Sequence, residues 1–517
     1  MTTVVVGLDG GSFELIEPWM KTGDMPTLAR LVDTGVSTDM KSCLPPVTCP
    51  NWQCYATGTN PGKLGVFWWE HIDRAERRIT NTSSSECFDG QYFWEGLEGR
   101  TAVVNLPTSY PPPESGGIHV AGGPGAQQDG YTTPASLEGE LEANHGYQIH
   151  PDSMSLLSSS DPDSQCVEEI YDLIDSRFDI VEELLDSGDL EFVHVTLFYL
   201  NVLQHFFWDH DVVKQAWKQI DDRLGSLVDR PDIEYTFLMS DHGANEIEVT
   251  FNINTWLERE GYLVTKRGKS DILHRAGITR ERIQSALGTL GIEWWARRFV
   301  PRRIQTVLPG SDGTVDKSGK EDVIDWDASR AVASGQGPVY VLETDPSERA
   351  RIRSELRSKL SGLSHDGTIV VENAVAGEEL YDGPAVVSGP DLVLEQGPGI
   401  HIQGRIGEDS VFDEPSRWCG ENKDTGMFVA AGPEIRPDAD LSDMHILDIA
   451  PTLLHLHDHA IPKRMDGRAR TELFACDSDP ATRSVEIRRQ QASDTRSRRD
   501  AATDDVTDRL DDLGYLE

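Results

Sequence analysis

The stretch Val4-Val5-Val6-Gly7-Leu8-Asp9-Gly10-Gly11 decides the architecture. Its apolar run has no polar alternation, the pattern of a strand buried on both faces, and such strands belong to parallel sheets covered by helices. The run ends at Asp9 and two glycines, so a carboxylate is carried off the strand into a loop. Open α/β sheets bind ligands there, beyond the carboxyl ends of their strands. Similar runs recur at Ala102-Val103-Val104, Phe192-Val193-His194-Val195, Tyr235-Thr236-Phe237-Leu238-Met239, Val339-Tyr340-Val341-Leu342 and Met427-Phe428-Val429-Ala430, with amphipathic segments between several of them. The alternation predicts an α/β protein with a mostly parallel central sheet flanked by helices. Helices are expected over 25–32 and over 167–185, where Ile170, Ile174, Phe178, Val181 and Leu185 recur at helical spacing.

Asp and Glu number 88 against 47 Lys and Arg, a formal charge of -41, and the excess runs the length of the chain. Carboxylates spread over every segment describe a strongly hydrated acidic surface of the kind proteins carry in concentrated salt. Such a surface repels nucleic acid, and no basic stripe offsets the repulsion, so a polynucleotide partner is not expected. No segment reaches the roughly 18 apolar residues of a membrane span, and the expected location is cytoplasmic. The seven cysteines include no C-x-x-C pair and read as reduced thiols.

The 517 residues suit one large core with insertions. The core is expected over 1–260 and 320–470, and a helical insertion over 261–325, packed down by Trp294-Trp295. A small α+β subdomain is expected within 344–400, with its helix near 349–360, and an exposed acidic and polar tail over 476–517.

Asp9 and the Asp241-His242 pair both follow apolar strands, and two carboxylates with an imidazole suit a divalent cation such as Zn²⁺ or Mn²⁺. Taken alone the trio is no more than an acidic protein commonly offers. Leu44-Pro45-Pro46-Val47-Thr48-Cys49-Pro50-Asn51-Trp52 adds a hydroxyl, Thr48, on a proline-stiffened turn before a helix expected to begin near Asn51. A helix start favours an anion, and a metal would activate the hydroxyl as a nucleophile. Asn51 is then the candidate donor to a phosphoryl oxygen.

In these positions the chain resembles the alkaline phosphatase superfamily, within it the type I phosphodiesterase and nucleotide pyrophosphatase branch. The motifs are Gly7-Leu8-Asp9-Gly10, Thr48-Cys49-Pro50-Asn51, Asn201-x-x-x-His205, Ser240-Asp241-His242-Gly243, and Asp448-Ile449-Ala450-Pro451-Thr452 with Met465-Asp466-Gly467-Arg468. Asn105-Leu106-Pro107-Thr108-Ser109-Tyr110-Pro111 is similar to this branch as well, and five ordered motifs are far more specific than any one. The resemblance implies an alkaline-phosphatase-like fold and a two-metal site acting on small phosphorylated substrates. It assigns one ion to Asp9, Thr48, Asp241 and His242. The other would be held where this chain has Asn201, His205 and Asn422, in place of an Asp, a His and a His. An amide coordinates weakly and brings no charge, so one tightly bound ion is expected.

Three readings stay open: a single-metal hydrolase or transferase working through Thr48, with His205 as the acid for the leaving group; a weaker second ion; and a catalytically silent binding or regulatory protein on the same fold. Cys49-Pro50-Asn51-Trp52 lacks the sulfatase pattern, and Cys49 has no basic neighbour to lower its pKa. His455-Leu456-His457-Asp458-His459 reads as the C-terminus of a helix, where the dipole favours histidine. Trp52, Phe67, Trp68, Trp69, Phe206, Phe207 and Trp208 flank the motifs. Packing is expected for most of them, and two in a pocket would favour diester or nucleotide-sugar substrates.

Overall fold

The computed structural model describes residues 2–489, apart from 98, 115–116, 155–163, 209 and 267–319, together with 509 and 513. Eight strands form the main sheet: β1 (Thr2–Gly7), β2 (Val36–Lys41), β3 (Arg100–Pro107), β4 (Ile118–Gly122), β5 (Thr132–Thr133), β6 (Leu190–Thr196), β7 (Ile233–Met239) and β8 (Thr425–Ala431). Their spatial order is β2-β8-β7-β1-β6-β3-β4-β5. The inner five, β7-β1-β6-β3-β4, are parallel; β8 runs antiparallel between β7 and β2, and β5 antiparallel to β4. All of β1 is buried, which is why its sequence does not alternate.

Register explains where the motifs meet. Gly7 pairs with Met239 on one side and with Thr196 on the other. Asp9 and Asp241 each lie two residues beyond that row, and so leave neighbouring strands at one edge. β6 leads over the same edge into the helix Tyr199–Phe207, which carries Asn201 and His205. Antiparallel β8 begins there, three residues after Asn422, and β2 ends there, seven residues before Thr48.

The helices largely follow the periodicity. Pro26–Thr34 covers the span expected near 25–32, and Gln165–Asp186 that expected over 167–185, with Ile170, Ile174, Phe178, Val181 and Leu185 buried.

Some expectations need correction. Val339-Tyr340-Val341-Leu342 was grouped with the main sheet, but Pro338–Val341 belongs to a second, antiparallel four-stranded sheet with Ala331–Ala333, Val371–Ala376 and Leu392–Gln396. A short apolar run reads alike in either sheet, because only burial leaves its mark on composition. The helix Pro346–Leu360 lies against this sheet, its start set by Asp345, whose carboxylate accepts from the Ser347 and Glu348 amides. The chain after Cys476 is largely exposed where it is described, but it is held at two points: Pro480 is buried, its carbonyl accepting from His455, and Ile487–Arg488 pairs with Ile461–Pro462. Most of the expected helical insertion, with Trp294-Trp295, lies outside the described residues. Among the described residues no helix is long and apolar enough to cross a membrane, and the seven cysteines are free thiols.

Candidate active site

The helix bearing Thr48 starts earlier than its sequence suggests. It spans Thr48–Thr57, so Thr48 is its first residue and the hydroxyl stands among the unpaired N–H groups of the first turn. Thr48 Oγ1 lies 3.3 Å from Asp9 Oδ1 and 3.1 Å from His242 Nε2. His242 Nε2 is 3.2 Å from Asp241 Oδ2, and the Gly10 amide donates to Asp241 Oδ1 at 3.4 Å. All four side chains are buried.

Burial opposes charge on each group. It pushes the Asp9 carboxyl up to about 8, against hydrogen bonds from Trp52, Thr48 and Asn201. Burial and the adjacent Asp9 charge hold Asp241 well above the usual carboxylate range, while burial lowers the His242 ring to about 4. Asp241 Oδ2 accepts no hydrogen bond among the described residues. Asp9, Asp241 and His242 each offer a ligand atom within 4.8 Å of the others. Two buried carboxyls, an orphaned oxygen and an imidazole, with no Lys or Arg paired to them among the described residues, fit a divalent cation, which would supply the missing charge.

The other half-site is assembled too. Asn201 Nδ2 lies 3.1 Å from His205 Nε2 and donates to Asn422 Oδ1 at 3.3 Å, and Asn201 also hydrogen-bonds Asp9. Gln204 Nε2 donates to Asn201 Oδ1 at 3.4 Å and to the Gly10 carbonyl at 3.1 Å. Gly10, at φ 69°, is required here, since a Cβ would meet Asn201 Oδ1 at 2.3 Å.

Two of the expected site residues are held by the protein's own backbone. Asn51 is not aimed at a ligand: its Nδ2 donates to the carbonyls of Cys43, Pro45 and Val47 at 3.1, 3.1 and 3.0 Å, and its Oδ1 accepts from the Cys43 amide at 2.8 Å. It ties down the loop before Thr48. His205 is engaged at both ring nitrogens. Its Nδ1 is 2.7 Å from the Gly420 carbonyl and must donate to it, which leaves Nε2 as acceptor of the Asn201 amide, and burial lowers the ring well below its ordinary pKa.

Other contacts went unread in the sequence. Trp52 Nε1 donates to Asp9 Oδ2 at 2.8 Å; its position four residues after Thr48, on the same helical face, was the available signal. Trp418 stacks on His205 with ring centroids 3.7 Å apart, and nothing in its neighbourhood pointed to it. Among the flanking aromatics, Trp68 donates to Gln336 at 3.2 Å, and Phe67, Trp69 and Phe207 are buried in packing. His455 and His457 bond Pro480, Glu191 and Thr3, and serve structure. A cavity of about 340 Å³ opens beside the site, with Leu44, Pro46, Gln396, Asn422 and Lys423 in its wall.

The fold agrees with what the chain resembles. Solved structures similar to it include a phosphonoacetate hydrolase from Sinorhizobium meliloti 1021 in complex with phosphonoacetate, 13% identical over 86% of this chain and 93% of that one, with a TM-score of 0.52. The wild-type alkaline phosphatase PafA is 12% identical over 92% of this chain and 99% of its own, with a TM-score of 0.51. At such identities the likeness is one of fold. No curated protein sequence matches the chain. The family model for type I phosphodiesterase / nucleotide pyrophosphatase matches residues 3–427, a span that holds both half-sites. The chain therefore belongs to the type I phosphodiesterase/nucleotide pyrophosphatase family of the alkaline phosphatase superfamily, a group of phosphoester hydrolases.

Proposed function

We propose that the chain hydrolyses or transfers phosphate esters through a phospho-enzyme on Thr48, with one divalent ion, Zn²⁺ or Mn²⁺, at Asp9, Thr48, Asp241 and His242. The observation that carries this reading is the convergence of the Thr48 hydroxyl, at a helix N-terminus, on Asp9 and His242 at 3.3 and 3.1 Å. A bound ion supplies Lewis acidity and lowers the pKa of a coordinated hydroxyl. Thr48 gives up its proton and forms an Oγ1–P bond as the P–O bond to the leaving group breaks, the departing oxygen taking up a proton; water or a second alcohol then forms a new P–O bond, breaks the Oγ1–P bond and returns a proton to Thr48. The first-turn N–H groups favour the anionic phosphoryl group. Asn51 holds Thr48 in register, and Trp52 orients Asp9 through its indole N–H.

Charge sets the substrate preference. One dication facing Asp9 and Asp241 leaves little positive potential, and Asn201 and Asn422 add none, so a singly charged diester or nucleotide-type ester is favoured over a doubly charged monoester. The test is metal content by mass spectrometry on protein purified without a metal-affinity tag, with hydrolysis of bis-p-nitrophenyl phosphate and p-nitrophenyl phosphate. One ion per chain and faster diester hydrolysis are expected. No ion and no turnover of either ester overturn the reading in favour of a binding protein.

A further inference from the structure

A second cavity, of about 220 Å³, lies away from the site, at the other end of the helix that opens on Thr48. Thr57, the last of that helix's ten residues, lines it, so cavity and hydroxyl are about 15 Å apart along one rigid element. Met465, in the same wall, packs on the helix end: a Cβ on Gly58 would meet its Cγ at 2.9 Å.

The charge of this cavity runs against that of the chain. Asp and Glu outnumber Lys and Arg by 88 to 47, yet His459, Arg464 and Arg488 line it and, among the described residues, no Asp or Glu does. Arg464 Nη2 donates to the Asp89 carbonyl at 3.0 Å, a bond that fixes a guanidinium and leaves its charge. Acids nearby in sequence are engaged elsewhere, Asp458 with Arg483 at 3.4 Å, and Asp466 with Lys63 and with the Asn60 amide at 2.9 Å. His459, and Arg488 at the exposed rim, have no ion-pair partner among the described residues. Compensation of a helix C-terminus, the usual reason for such cations, falls to another residue. Arg483 Nη2 donates to the His455 and Leu456 carbonyls at the end of Ile449–Leu456. The rest of the wall includes apolar Phe93, Leu454 and Met465.

We propose that this cavity binds a phosphate dianion, carried by inorganic phosphate or by a phosphomonoester whose apolar end lies on Phe93, Leu454 and Met465. Two guanidiniums match its two charges, and the imidazole adds a further polar contact. The inference goes beyond the chemistry proposed for Thr48 and does not need it.

Full-length protein is stripped of metal with EDTA, which removes the charge that would hold an anion at Thr48, and is titrated calorimetrically with inorganic phosphate at low salt. One phosphate per chain is expected. Arg488→Gln with His459→Gln weakens binding at least about tenfold, and so does Arg488→Glu alone, a change confined to the exposed rim. In 1 M KCl binding weakens as the screening length falls to about 3 Å. No binding by the metal-free protein, or an affinity unchanged in both variants, overturns the proposal. Phenyl phosphate separates the sources: tighter binding than inorganic phosphate marks an organic phosphomonoester, and equal or weaker binding marks inorganic phosphate. Diester hydrolysis by the native protein, with no phosphate bound by the metal-free form, sinks this inference alone. Phosphate binding that follows the Arg488 and His459 changes, in a protein without turnover, sinks only the reading of Thr48 as nucleophile.

Discussion

At Asn201 an amide stands where the family resemblance implies a carboxylate, and its hydrogens reach both His205 Nε2 and Asn422 Oδ1. The lone pair that His205 would give a metal is thereby occupied. Asn201→Asp with Asn422→His exchanges these groups for an anion and an imidazole, and should raise bound metal from one ion towards two per chain, read by mass spectrometry. Two tightly bound ions in the native protein, or no gain in the variant, would show the assignment of these asparagines to be wrong. Thr48→Ala should lower turnover by at least about 10³-fold while keeping most metal binding, with Thr48→Ser partly active. Wild-type turnover by the alanine variant excludes the covalent route.

The loop and helix around Thr48 behave as one element because Asn51 joins them through four hydrogen bonds. Removing them by Asn51→Ala leaves buried carbonyls unsatisfied and should cost about 3 kcal/mol, seen as a lowered Tm alongside lost turnover. Had the amide served only a substrate oxygen, Tm would hold and turnover alone would fall. Gly10→Ala tests the neighbouring loop. The added methyl has no room beside Asn201 and a positive φ to tolerate, so about 2 kcal/mol of stability should be lost. The positions of these elements were legible in the sequence to within a few residues, yet the helix began at Thr48 and not at Asn51. Pro50 fits the first turn, and local pattern does not say which residue opens it.

Over the whole molecule, two buried histidines tie stability to pH. His150 and His194 are held near about 3 by burial, each hydrogen-bonded as a neutral ring, His150 to Tyr199 and the Ala126 carbonyl and His194 to Tyr55 and Thr196. Unfolded histidine takes up its proton below about 6.5, whereas these rings stay neutral in the fold, so their contribution is full above that pH. It is lost as pH falls from there towards about 3, by up to about 1.4 kcal/mol per unit for each ring. Denaturant midpoints between pH 7 and pH 4 should fall accordingly; a flat profile would contradict the assignment. The net charge of -41 acts through self-repulsion, which salt screens, so Tm should rise between 0.1 and 2 M KCl, where the screening length falls from about 10 Å to below 3 Å.

The amino-acid sequence by itself determined the sheet that carries Asp9 and Asp241, since strands buried on both faces must be apolar throughout. It also named the residues that gather at that sheet edge, because motif residues keep their order whatever the loops between them do. Tertiary structure alone decided what each polar group faces. Trp52 meets Asp9 and Trp418 covers His205 because segments far apart in the chain meet at one sheet edge, and Asn51 meets three carbonyls because the loop before it folds back over its side chain. An amide's partner depends on which atoms lie within about 3 Å of it, and spacing along the chain does not encode that distance.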